Sequence, residues 1–183
     1  MSDALELIIS NEMGNSSLTA ISHPDYPAGK VMVESLFVVD STSTKELQNK
    51  RFLPPTVLRL VVDEQENELS QKLSINIIKE YSERVDIKTS KQIIKLKKET
   101  IQQLSKHSEL LAKQQKPKII QQAHQHNKQL LEQEINRLIA LQSHNDNIRP
   151  EEIDYLQKRM ESNDLALNNA QLRLDAIRVI VTV

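Results

Sequence analysis

The spacing of hydrophobic and polar positions changes character twice along the chain. Leu5, Ile8 and Ile9 share one helical face, with Asp3 placed as an N-cap and Gly14 just beyond the end. This predicts a short helix over Asp3 to Glu12. Period-two signals follow. "SLTAI" (Ser17 to Ile21) is a short strand. "KVMVESLFVVD" (Lys30 to Asp40) puts Val31, Val33, Phe37 and Val39 on one face and Met32, Leu36 and Val38 on the other. A strand apolar on both faces is a covered strand. "TVLRLVVD" (Thr56 to Asp63) behaves alike, entered through Pro54-Pro55, which hold the chain extended.

From about Leu73 the spacing shifts to that of a helix. The reading is helical from Thr89 to Gln142, with a break near Pro117, because proline lacks the N–H and crowds the preceding turn. Ile94, Ile101, Leu104 and Leu111 form an apolar stripe interrupted by Lys97 and Ser108. Leu131, Ile135 and Leu138 form another, and Ile153, Leu156, Met160 and Leu167 a third. Such stripes predict faces for partner helices. The short connection at 143–149 predicts that the last two helices run antiparallel.

"LRLDAIRVIVTV" (Leu172 to Val183) returns to alternation, a strand from about Asp175. A lone strand is unstable in water, so it belongs to the sheet of Lys30–Asp40 and Thr56–Asp63. The expected fold class is α+β: a small, mostly antiparallel sheet including the C-terminal strand, with a long protruding antiparallel helical arm. Residues 1–87 and 172–183 would form the sheet base of a single domain. Residues 88–171 would form the arm, broken near 117 and bent at 143–149.

Composition agrees with that outline. Hydrophobic residues are 38%, charged residues 27% and aromatics 3%, with two Gly and no Trp. The absence of Cys excludes disulfides and Cys-based zinc sites and is compatible with an intracellular setting. No apolar run approaches a membrane span, and no secretory pattern opens the chain. The net charge of -1 hides a partition. Residues 1–87 carry 8 Lys/Arg against 14 Asp/Glu, 88–128 carry 10 against 2, and 129–183 carry 6 against 9. A basic middle lies between two acidic segments.

No catalytic or metal motif can be written on this sequence. Gly14 and Gly29 are isolated, which excludes a phosphate-cradling loop. There is no Gly-x-Ser-x-Gly elbow and no His-Glu-x-x-His. His124 and His126, two apart on a helix, point to nearly opposite faces and are expected at the surface. "LIALQSHNDNIRPEEIDYL" (Leu138 to Leu156) fails as an EF-hand from Asp146, since Ile148, Pro150 and Glu151 fall where ligands or Gly are required. Its residues suit a bend instead. Asn145 fits a left-handed C-terminal position, Pro150 opens the next helix, and Glu151 and Glu152 complement that helix's positive end.

The remaining candidate is basic. Lys91, Lys95, Lys98, Lys106 and Lys113 fall along one face of the expected Thr89–Gln115 helix. They form either a phosphate-contacting face for DNA or RNA or a solvated face opposite the Ile94–Leu111 stripe. The basic segment contains no Arg and no aromatic residue for stacking bases.

Three blocks carry a wider likeness: Pro27 to Asn67 ("PAGKVMVESLFVVDS…KELQNKRFLPPTVLRLVVDEQEN"), Ile135 to Ile153 and Leu172 to Val183. In this order they resemble the C-terminal region of the RapA family, bacterial RNA polymerase-associated, Swi/Snf-type helicase-like ATPases that recycle RNA polymerase. The Lys88–Lys128 stretch resembles it least. The resemblance implies a fragment of a larger ATPase, with Met1-Ser2 as an added start and Val183 near the family's C-terminus. It implies a non-enzymatic piece with no cofactor of its own, ATP and Mg being held by the parent motor upstream. It implies RNA polymerase core and the parent's other domains as partners, and it carries over no catalytic residue. Apolar helix stripes on such a piece could also pair between copies.

Overall fold

The computed structural model describes residues 16–41, 53–145 and 148–183. The helix expected over Asp3–Glu12, with Gly14, lies outside the described residues, as does Asp146. The elements in chain order are β1 (Ser16–Ile21), β2 (Val31–Asp40), β3 (Thr56–Asp63), α1 (Ile75–Glu80) and β4 (Ser82–Glu83). They continue with α2 (Ile87–Leu96), α3 (Lys98–Gln142), α4 (Pro150–Asn168) and β5 (Gln171–Thr182). The class is α+β.

The strands form one five-stranded sheet in the order β3-β2-β5-β1-β4. The C-terminal strand is therefore central. β5 runs parallel to β1, with Ser16 opposite Ile177 and Ile21 opposite Thr182. Its other neighbour is β2. Gly29 N–H donates to Thr182 O (2.9 Å) and Thr182 N–H to Lys30 O (3.0 Å), which sets the start of β2 against the end of β5. That pair is antiparallel, so the sheet is mixed. Gly29 reaches this approach at φ 88°, a conformation that costs glycine nothing. The short β4 closes the far side, antiparallel to β1.

By contacts the chain divides into two compact units. The first takes the segments Met1–Val38, Val57–Gln114 and Arg173–Val183. Here β2 is covered on both faces, as its sequence predicts. One face places Val31, Val33, Val62, Ile177, Val179 and Val181 against Ile101 and Leu104 of α3, with Ile93 and Ile94 of α2 alongside. The other places Met32, Val61 and Ile180 against Leu69, Leu73 and Ile78. The Ile94–Leu111 stripe therefore packs on the sheet, correcting the expectation of a partner helix. An apolar stripe of helical spacing can cover either surface.

The second unit takes Val39–Thr56 and Gln115–Leu172. Leu167 and Ala170 pack with Ala123, Val39 and Leu53, and Ile119, Ile120 and Leu172 lie against them. The end of α3 and all of α4 form an antiparallel hairpin: Asn127 meets Asn163, and His124 meets Asp164 and Asn168. The helical hairpin thus begins after Gln114, not at 88.

A second correction concerns Pro117. The helix does not break there. α3 runs unbroken for 45 residues with Pro117 inside, and the interruption falls at Lys97. Pro117 is exposed, so its ring and the orphaned Lys113 carbonyl face water. Buried side chains on either side, Ile101 and Leu104 before it and Ala123 and Leu131 after it, hold both halves helical.

Candidate functional site

The basic face belongs to the sheet-bearing unit. α2 is nucleated by Asp86, whose carboxylate accepts from Lys88 N–H (2.9 Å) and Thr89 N–H (3.0 Å) and from the Thr89 hydroxyl. The Thr89 hydroxyl, above all, holds the Asp86 carboxyl below the usual carboxylate range. α2 ends at Lys97, where φ -101° and ψ 17° leave the helical region for one residue. Lys91 and Lys95 lie on α2; Lys98, Lys106 and Lys113 lie on α3. All five are exposed. The single expected Thr89–Gln115 helix is therefore two helices, and the spacing of the lysines does not carry across Lys97.

Their surroundings differ. Lys113 Nζ is paired with Glu109 at 2.6 Å, one turn back on α3. Lys91, Lys95, Lys98 and Lys106 have no ion-pair partner among the described residues. Lys88, not among the expected five, joins Lys91 and Lys95 at i, i+3 and i+7 on one face of α2. The helix start at Ile87, two residues before the expected Thr89, brings Lys88 onto this face. Lys97 Nζ instead meets Glu64 at 3.5 Å, and His107 Nδ1 meets Glu66 at 3.4 Å. The turn after β3 thus sets Glu64 against the α2–α3 junction and Glu66 against α3 further along. Glu66 takes a positive φ of 62° there.

A second charged group lies on the sheet. Glu34 sits on β2 with its side chain 4% exposed and receives two guanidinium groups. Arg59 Nε donates to one carboxylate oxygen, and Arg178 Nε forms an ion pair with the other at 3.2 Å. Arg59 also donates to Ser70 O at 2.9 Å and to Leu73 O. Three strands thereby converge on one carboxylate. Ser16, Ser17, Leu36, Ala176 and Ile177 line a small cleft beside Glu34 and Arg178. The sequence signal was a lone Glu inside an apolar strand, which must find a partner when covered.

In the hairpin, His124 is half-buried, which corrects its expected surface place. Its Nδ1 lies 2.7 Å from Asp164 Oδ1 and its Nε2 3.0 Å from Asn168 Oδ1. Asn127 donates to the same Asp164 oxygen at 3.0 Å, and Asn163 donates to Asn127 Oδ1 at 2.9 Å. Both Asn side chains are fully buried. His126 is exposed. At the bend, His144 Nδ1 contacts Ser143 Oγ at 2.6 Å. Among the described residues no group of three His, Cys, Asp or Glu could hold a metal. Pro150 opens α4, with Glu151 and Glu152 in its first turn. The left-handed position expected at Asn145 is not taken, since Glu66 is the only described non-glycine residue with positive φ. The end of α3 closes instead by His144 N–H to Leu141 O (3.0 Å) and Ser143 Oγ to Ala140 O (2.8 Å). Among the described residues no helix is long and apolar enough to cross a membrane.

Among the described residues the geometry shows side-chain networks around Glu34 and Asn127 and exposed lysines, of which Lys91, Lys95, Lys98 and Lys106 have no ion-pair partner. Residues 1–182 match the RNA polymerase recycling family, C-terminal. The chain belongs to this family. The family's curated relatives agree. The chain is 38% identical to the RNA polymerase-associated protein RapA of Histophilus somni, over 98% of this chain and 19% of that protein. It is 35% identical to RapA of Pasteurella multocida, over 97% of this chain and 18% of that one. It is 36% identical to RapA of Haemophilus influenzae strain PittEE, over 97% and 19%. The chain spans about a fifth of the length of these relatives.

Proposed function

We propose that the chain is a non-catalytic C-terminal domain of a bacterial RNA polymerase-associated, ATP-driven helicase-like protein. It serves RNA polymerase recycling by docking on the parent motor or on the polymerase, within the cytoplasm. ATP and Mg belong to the parent motor. The observation that carries this reading is family membership along nearly the whole chain, together with the small share of each relative that the chain spans. A pull-down of the chain with core RNA polymerase, with and without nucleic acid, tests it. Retention of polymerase that survives nuclease treatment is expected. Substantial ATP hydrolysis by the purified chain, or loss of all polymerase retention together with no binding to the parent's remaining domains, overturns it.

A second reading is favoured by the exposed lysines: a nucleic-acid-binding module using Lys91, Lys95, Lys98, Lys106 and Lys113. Such a face binds a labelled single strand or duplex with an affinity that falls steeply with salt. Unchanged affinity after Lys95→Glu and Lys98→Glu together rejects this face as the site.

A further inference from the structure

We propose that the exposed face of α2 is a docking surface for an acidic amphipathic helix of a protein partner. The inference rests on the docking reading above but not on the polymerase being that partner. α2 turns Ile93 and Ile94 toward the core, and none of its residues is fully buried. Its outer face carries Lys88, Lys91 and Lys95 within about 60° of arc. Leu96, 84% exposed, and Ile87, 72% exposed, flank that row on either side. They stand about 13 Å apart along the axis. Two large apolar side chains left this open beside three lysines form a mixed surface, apolar at its edges and cationic between.

The molecule already answers such a surface once. Glu64 meets Lys97 at the α2–α3 junction, and Glu66 meets His107 further along α3. Those carboxylates stop there. Lys88, Lys91, Lys95 and Lys98 have no carboxylate partner among the described residues. The complement is a second row of carboxylates bordered by apolar side chains that would cover Ile87 and Leu96.

Phosphodiester chains fit this face less well. A nucleic acid gains from lysines but offers no apolar surface for Leu96 and Ile87. The basic segment also lacks the Arg and aromatic side chains that read or stack bases. A bilayer fits less well too. A helix lying in a membrane surface needs one wide apolar face, and the apolar face of α2 is spent on the core.

The test is fluorescence anisotropy with the purified chain and four probes. These are a labelled helical peptide bearing Glu and Leu on one face, a Glu/Ser peptide of equal charge, a single-stranded oligonucleotide of equal charge, and phosphatidylserine vesicles. Saturable binding to the Glu/Leu peptide is expected, weaker in salt. It should fall about tenfold in Lys91→Glu/Lys95→Glu and again in Ile87→Ser/Leu96→Ser. Circular dichroism checks that both variants keep the fold. A peptide affinity that either double variant leaves unchanged overturns the proposal. So does equal binding of the Glu/Ser peptide, or tighter binding of the oligonucleotide or vesicles. Failure here with polymerase still retained removes only this surface. Failure of polymerase retention with the peptide still bound removes only that partner.

Discussion

Glu34 is the residue where the cost of burial is most visible. A carboxylate on a covered strand is tolerated because Arg59 and Arg178 neutralise it and because Arg59 spends its other N–H groups on Ser70 and Leu73 carbonyls. Glu34→Ala leaves those guanidinium groups facing a void. Urea unfolding should show a loss of about 3 kcal/mol, with Glu34→Gln retaining part of it. Asp86 acts at an exposed position instead. Its carboxyl titrates below the ordinary range because the Thr89 hydroxyl and backbone N–H groups bind its charged form. That contribution is present above the ordinary carboxylate range and is lost as pH falls through the lower, folded value. Amide exchange at Lys88 and Thr89, corrected for intrinsic rates, should accelerate as pH drops into that window. In Asp86→Ala the same amides should be unprotected at every pH.

At the scale of elements, α3 carries a proline that sequence rules assign to a helix boundary. Its exposed position limits the damage to one hydrogen bond and one crowded carbonyl. Pro117→Ala should therefore raise stability by about 1–3 kcal/mol, read as an increase in helicity and melting midpoint. A fall would show that the proline conformation is required. The α3–α4 hairpin is specified by polar contacts in its seam. Asn127→Ala strands the Asn163 amide and should cost about 1–3 kcal/mol. Asn127→Leu with Asn163→Leu removes both partners and should cost much less than the sum of the singles, a non-additivity that a double-mutant cycle measures. Where α3 covers the sheet, Ile101 is fully buried, and Ile101→Ala should cost about 3 kcal/mol.

At the scale of the whole molecule, β5 is the strand on which the sheet depends. It lies between β2 and β1, which do not touch each other in the strand order. Deleting Ile177–Val183 should abolish cooperative unfolding by circular dichroism, because β1 and β4 would lose their link to the rest of the sheet. A retained two-state melt would contradict this role. The chain spans about a fifth of the length of the relatives it matches. The local pattern was enough for the strands β2, β3 and β5 and for the α+β class. Each rests on a local period, a proline or a cap that neighbours in the chain enforce. The five lysines were expected on one helix face, but they lie on two helices, and their spacing does not carry across Lys97. Tertiary packing alone decided that Lys97, not Pro117, interrupts the helix, because only burial on both sides of the proline keeps it helical. It alone decided that Ile94–Leu111 lies on the sheet, that Glu34 gathers two arginines, and that His124 is bound into the hairpin. Those partners are separated by tens of residues, and no local spacing records which distant surface a stripe or a charge will meet.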